Sequence, residues 1–107
     1  MIGVNTETIP GQRVVKVLGL VQGNTVRAKH LGRDIGASLK NLVGGEIKSY
    51  TELLTEARRE AVERMMAQAR QLGANAVLCV RFSTLAVTAG AAELYAYGTA
   101  ATVEPEG

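Results

Sequence analysis

The chain has 107 residues, a formal net charge of +2 and a hydrophobic share of 47%. That is the length of one domain, expected to run over residues 1–107, and it is too apolar for a disordered chain. Lys and Arg are dispersed rather than clustered among aromatics, no apolar run nears the roughly 20 residues of a membrane span, and a single Cys excludes an internal disulfide.

Nucleic-acid and membrane partners are therefore not expected. Met1 to Pro10 has neither the basic nor the apolar region of a signal peptide, so the expected compartment is the cytoplasm. The aromatics are only Tyr50, Phe82, Tyr95 and Tyr97, so the core must be aliphatic.

In chain order, Pro10-Gly11 punctuates the start of a strand over Arg13 to Gln22. Val14, Lys16, Leu18 and Leu20 alternate with Val15, Val17, Gly19 and Val21. Both faces are mainly apolar, which predicts cover on both sides. Gly23-Asn24 is expected to end the strand, with a short extended piece through Val26.

Leu31 to Leu42 reads as a shorter helix with Leu31, Ile35, Leu39 and Leu42 in one stripe. Gly32 and Gly36 weaken it, and Gly44-Gly45 breaks the chain after it. A long helix then follows. Ser49 and Glu52 have the spacing of a capping box, and Gly73 is the expected left-handed stop. Leu53, Ala57, Ala61, Met65, Ala69 and Leu72 form the predicted inner face. Arg59–Glu63 and Glu60–Arg64 are predicted i,i+4 pairs on the outer one. Val62 and Met66 widen the apolar arc beyond the roughly 100° that one sheet needs, which predicts a second partner.

Ala76 to Leu85 reads as a strand with Ala76, Leu78, Val80 and Phe82 on one face and Cys79, Arg81 and Ser83 on the other. A turn around Gly90 leads into the last strand, Glu93 to Val103, giving an antiparallel hairpin. The fold class is α+β: a small antiparallel-rich sheet on one long helix plus a shorter helix, in the order β-α-α-β-β. The two-faced strands leave more apolar surface than one layered domain can bury, and joining identical subunits in a closed ring removes it.

No Ser-His-Asp set, carboxylate dyad or metal-ligand cluster is present, which argues against an enzyme. A zinc site wants about four ligands, commonly Cys and His at close spacing, and this chain has one His, His30, and one Cys, Cys79, 49 positions apart, so a zinc site within one chain is not expected. A ring could gather one His from each subunit. Cys79, between Leu78 and Val80, reads as a small packed residue. Gly44-Gly45 precedes a helix start and could offer N–H groups to an anion, or simply connect two helices. Arg58 falls between Leu54 and Val62 and is read as half of a buried ion pair with Asp34, with snorkelling at the stripe edge or ligand binding as alternatives.

Arg33-Asp34, Leu42-Val43-Gly44-Gly45, Tyr50, Glu56-Ala57-Arg58-Arg59-Glu60-Ala61 and Ala69-Arg70-Gln71-Leu72-Gly73-Ala74-Asn75-Ala76-Val77 together resemble the YbjQ-like family. These are small bacterial and archaeal proteins of uncharacterised function, described as candidate heavy-metal-binding domains. The resemblance covers nearly the whole chain. It implies a dodecin-like subunit assembling as a homopentameric ring. Its motif positions here are Arg33, Asp34, Gly44, Gly45, Tyr50 and Arg58, the expected ligand-binding residues. Relatives carry acidic residues on the strand after the Leu-Gly-Ala-Asp motif, where this chain has Arg81 and Ser83, and Asn75 for the Asp; no metal ligand is assigned on that face. The expected function is a non-enzymatic ring binding a small ligand or ion at subunit interfaces, without a resident cofactor. The alternatives are a heavy-metal-binding protein sharing ligands between subunits, and an enzyme with an interface active site.

Overall fold

A computed structural model describes residues 1–27, 48–88 and 91–107. The elements are β1 (Ile2–Gly3), β2 (Gln12–Arg27), α1 (Lys48–Gln71), β3 (Ala76–Thr88) and β4 (Ala91–Pro105). The four strands form one mixed sheet in the order β1-β3-β4-β2. β4 pairs antiparallel with both β2 and β3, and β1 runs parallel to β3. The α+β class and the final hairpin agree with expectation. The short N-terminal strand was not legible from sequence. The expected helix over Leu31 to Leu42, and Gly44-Gly45 after it, lie outside the described residues.

The helix ends as its sequence demands. Gly73 takes φ +84°; its N–H donates to the Arg70 carbonyl, and that of Ala74 to the Ala69 carbonyl. This is a Schellman stop, which only a residue free of a Cβ enters without strain. Ser49 falls inside α1, after Lys48, and not at the N-cap.

Ala57, Ala61, Met65 and Ala69 are buried against Val21, Val77, Leu94, Ala96 and Ala100. Three alanines in that stripe bring the helix close to the sheet. Leu72, expected on the inner face, is instead 46% exposed, because the chain has already left the helix there. The strand expected to stop at Gly23 runs on to Arg27. Gly23 marks close approach: a Cβ there would stand 2.1 Å from the Ala61 carbonyl oxygen and 2.5 Å from the Met65 nitrogen.

Two irregularities change which residues face the helix. In β3 the register slips between Leu78 and Arg81, with Cys79 at φ +56°. Val77 and Val80, three apart, therefore both pack toward the helix, and the even/odd alternation expected through Cys79 fails. In β2 the register slips after Val14 and after Val17. A second cluster, Ile9, Ala76, Leu78 and Ala101, lies on the sheet face away from the helix, with Val4, Cys79 and Val103 against it.

β2 has 16 residues and spans about 53 Å at 3.3 Å per residue. The helix has 24 and spans about 36 Å. The strands set the 57 Å long axis of the molecule and outrun their helical cover. The radius of gyration, 17.3 Å, exceeds the roughly 13 Å of a compact domain of this length.

Candidate functional site

Arg33, Asp34, Gly44, Gly45 and His30 lie outside the described residues. Tyr50 lies in the first turn of α1. Arg58 is on the exposed side of the helix, which corrects the expected buried ion pair. One residue beyond Ala57 is about 100° around the helix axis, enough to carry Arg58 off the buried stripe. The described residues therefore do not bring the expected ligand set together.

They do build an open groove of about 300 Å³, lined by Gly3, Val4, Asn5, Val62, Met65, Met66, Val80 and Phe82. It exists because α1 lies chiefly over β2 and β4 and barely reaches β3. The N-terminal segment forms its far wall. The Val4 N–H donates to the Val77 carbonyl, and the N–H groups of Val80 and Cys79 donate to the carbonyls of Val4 and Thr6. These bonds stitch the segment across the β3 irregularity. Arg81 Nη1 donates to the Asn5 carbonyl at 2.7 Å and holds the segment's end. A Cβ on Gly3 would lie 2.4 Å from Met66 Cε, so the glycine lets that flexible side chain pack directly against the N-terminal segment. Val62 and Met66, the surplus of the apolar arc, thus meet the N-terminal segment and the groove. Phe82 remains 50% exposed at the groove's mouth.

The sheet face away from the helix is mixed in character. Tyr95 and Tyr97 stack with ring centroids 5.1 Å apart. The Tyr95 hydroxyl donates to Gln22 Oε1 at 2.7 Å, and Asn24 Nδ2 to Glu93 Oε2 at 3.0 Å. Beside these polar groups stand Leu20, 83% exposed, and Leu85, 63% exposed. On the outer helix face Arg59 pairs with Glu56 and Glu63, and Arg64 approaches Glu60 at 3.8 Å. The Arg59 guanidinium is held charged beyond its usual range, first by its hydrogen bond to Glu56 and then by the charges of Glu56 and Glu63.

Among the described residues no three His, Cys, Asp or Glu side chains gather where they could hold a metal ion. Cys79 packs into the second cluster, with Arg81 and Ser83 following on its strand. The described residues alone do not assemble a heavy-metal donor set. No helix among the described residues is long and apolar enough to cross a membrane.

The fold and the groove define a two-layer α+β domain with an apolar flank. The chain belongs to the YbjQ family, matching the family described as "Putative heavy-metal-binding" over residues 1–104. It is 64% identical to a UPF0145 protein of Hahella chejuensis over 104 residues, covering 97% of this chain and 100% of that one. It is 58% identical to a UPF0145 protein of Thermotoga maritima, covering 97% and 98%. It is 60% identical to one from Archaeoglobus fulgidus over 100 residues, covering 94% and 93%. A solved structure of a DUF74-family protein of unknown function from Pediococcus pentosaceus matches with a TM-score of 0.62 at 15% identity, covering 97% of each chain. That likeness is one of fold.

Proposed function

We propose that this chain is a non-enzymatic subunit of a closed homo-oligomeric ring, a pentamer as the family resemblance implies, that holds a small ligand or ion between subunits. One observation carries the reading: Leu20, Val17 and Leu85 are 83%, 63% and 63% exposed on long strands that extend past their helix. A soluble monomer rarely leaves such side chains uncovered together, and each is worth about 1.5–3 kcal/mol when fully buried. Arg33, Asp34, Gly44, Gly45, Tyr50 and Arg58 are the proposed ligand contacts; ring closure would supply the neighbours that one subunit lacks. The described residues of one chain assemble no heavy-metal donor set, so a site of that kind would draw on residues outside them or on donors from several subunits.

Native mass spectrometry after gentle purification tests this. The expected result is a single discrete multimer, five-fold by mass, with added non-protein mass at subunit stoichiometry. A monomer at micromolar concentration would overturn the ring, and a ring of bare polypeptide mass would overturn the ligand.

A further inference from the structure

Two methionines stand side by side on α1 in opposite surroundings. Met65 is sealed in the core at 0% exposure. Met66 is only partly buried, and it lines the open groove with Gly3, Val4, Val80 and Phe82. A thioether on an open groove is reachable by a dissolved oxidant, and one inside a packed core is not. The pair therefore carries its own internal comparison.

Met66 also holds something. The position a Cβ would take on Gly3 lies 2.4 Å from Met66 Cε and 3.9 Å from its sulfur, so the thioether rests directly on the N-terminal segment. Few other groups fasten that segment. The Val4 N–H donates to the Val77 carbonyl, the Val80 and Cys79 N–H groups donate to the Val4 and Thr6 carbonyls, and Arg81 Nη1 donates to the Asn5 carbonyl. β1 itself is two residues long, and Ile2 is 46% exposed. A unit with so few buried contacts opens locally at low free energy, so the loss of one packing contact raises its opening.

We propose that Met66 is an oxidation site and that its sulfoxide releases the N-terminal segment from β3. The oxidant is hydrogen peroxide. A sulfur lone pair attacks one peroxide oxygen; the S–O bond forms as the O–O bond breaks, and the departing hydroxide takes the proton left on the transferred oxygen and leaves as water. Sulfur gives up two electrons and the peroxide gains them. The thioether is an apolar filler, whereas the sulfoxide is polar. Its oxygen is a hydrogen-bond acceptor, and the Val62, Val80 and Phe82 side chains around it have no donor to give. Water from the groove satisfies the oxygen, and admitting that water parts Met66 from Gly3.

The test treats wild-type protein, in the assembly it forms, with hydrogen peroxide and locates the sulfoxide by peptide mass spectrometry. Met66 is expected to oxidise about tenfold faster than Met65, or more. After oxidation, hydrogen exchange at the Val4, Cys79 and Val80 amides is expected to run about tenfold faster, with the amides that pair β2 and β4 unchanged. Met66→Leu fills nearly the same volume without a sulfur. Peroxide should leave its exchange unaltered, which separates Met66 from the exposed Met1. Met66 oxidising no faster than Met65 overturns the proposal. So does exchange that stays slow once Met66 is oxidised, acceleration spread equally over β2 and β4, or the same acceleration in Met66→Leu.

Discussion

The backbone N–H of Gln22 donates to Oε1 of Gln68 at 2.7 Å, joining a strand to a helix residue 46 positions away. Two residues along β2, the Asn24 carbonyl accepts from Arg64 Nη1 at 2.5 Å. β2 is an outer strand, and these are groups that point away from β4. Gln68 and Arg64, four apart on α1, thus occupy hydrogen-bonding positions that a foreign strand would use. Edge strands left open template aggregation, and blocking them with side chains is a known remedy. The cover of β2 and the opening of β3 have one cause: the helix is displaced toward β2.

Replacing both guards, Gln68→Ala with Arg64→Ala, is expected to lower stability by about 1–3 kcal/mol, two hydrogen bonds at about 0.5–1.5 each. Light scattering should rise with concentration as the freed edge pairs between molecules. Urea unfolding and scattering both unchanged from wild type would show that the guards do neither task.

Gly23→Ala forces a Cβ into the helix backbone, 2.1 Å from the Ala61 oxygen. Neither atom belongs to a flexible side chain, so the whole helix must shift. Overpacking of this kind costs about 1–3 kcal/mol. Urea unfolding should register that loss; a variant as stable as the parent would mean the helix rides higher than described. The clash specifically identifies Gly23 as a close-approach residue, since Gly11 has open space where its Cβ would stand.

These particulars mark where the sequence was legible. The stripe Ala57, Ala61, Met65, Ala69 and the stop at Gly73 are written within a few turns of chain, and both were read correctly. In the sequence alone Gly23 looks like a terminator, because a glycine at a strand end and a glycine under a helix are alike until the helix is in place. The phase slip at Cys79 was invisible for a similar reason: it is set by pairing with β4 and with Thr6, both distant in sequence. β1 has two residues and exists only because Ala76 and Val77 receive it. Of the site, the surplus arc through Val62 and Met66 did announce a second contact, met by the N-terminal segment and the groove. Arg58 was misplaced because i,i+4 neighbours such as Leu54 and Val62 are themselves at the margin of the buried stripe.

Cys79 occupies the left-handed region that a residue with a Cβ enters at a cost of roughly 1–2 kcal/mol. Cys79→Gly relieves that strain and is expected to leave stability equal to or up to about 1 kcal/mol above wild type, the lost thiol packing offsetting part of the gain. Cys79→Val is expected to destabilise by more than about 1 kcal/mol, since β-branching is least compatible with this backbone. Thermal melts of the two variants should fall on opposite sides of, or at and below, the parent. Valine equalling glycine would remove the backbone as the cause.

Asn75 holds the end of β4 by two bonds to one residue: Val103 N–H donates to Oδ1 at 2.8 Å, and Nδ2 donates to the Val103 carbonyl at 2.9 Å. An amide satisfies both, because it carries a donor and an acceptor. Asn75→Asp keeps the acceptor and sets an ionised oxygen against a carbonyl. The introduced carboxyl prefers its neutral form in the folded chain, so its folded pKa rises above the ordinary value near 3.9. A raised folded pKa means stability present at low pH and lost as pH climbs through that value. The variant should therefore match wild type most closely in acid and fall below it by about 0.5–1.5 kcal/mol at neutral pH, the exposed site limiting the loss. Urea midpoints for both proteins between pH 3 and pH 7 test the sign. A difference that is constant across that range, or that widens in acid, would assign the effect to something other than the missing donor.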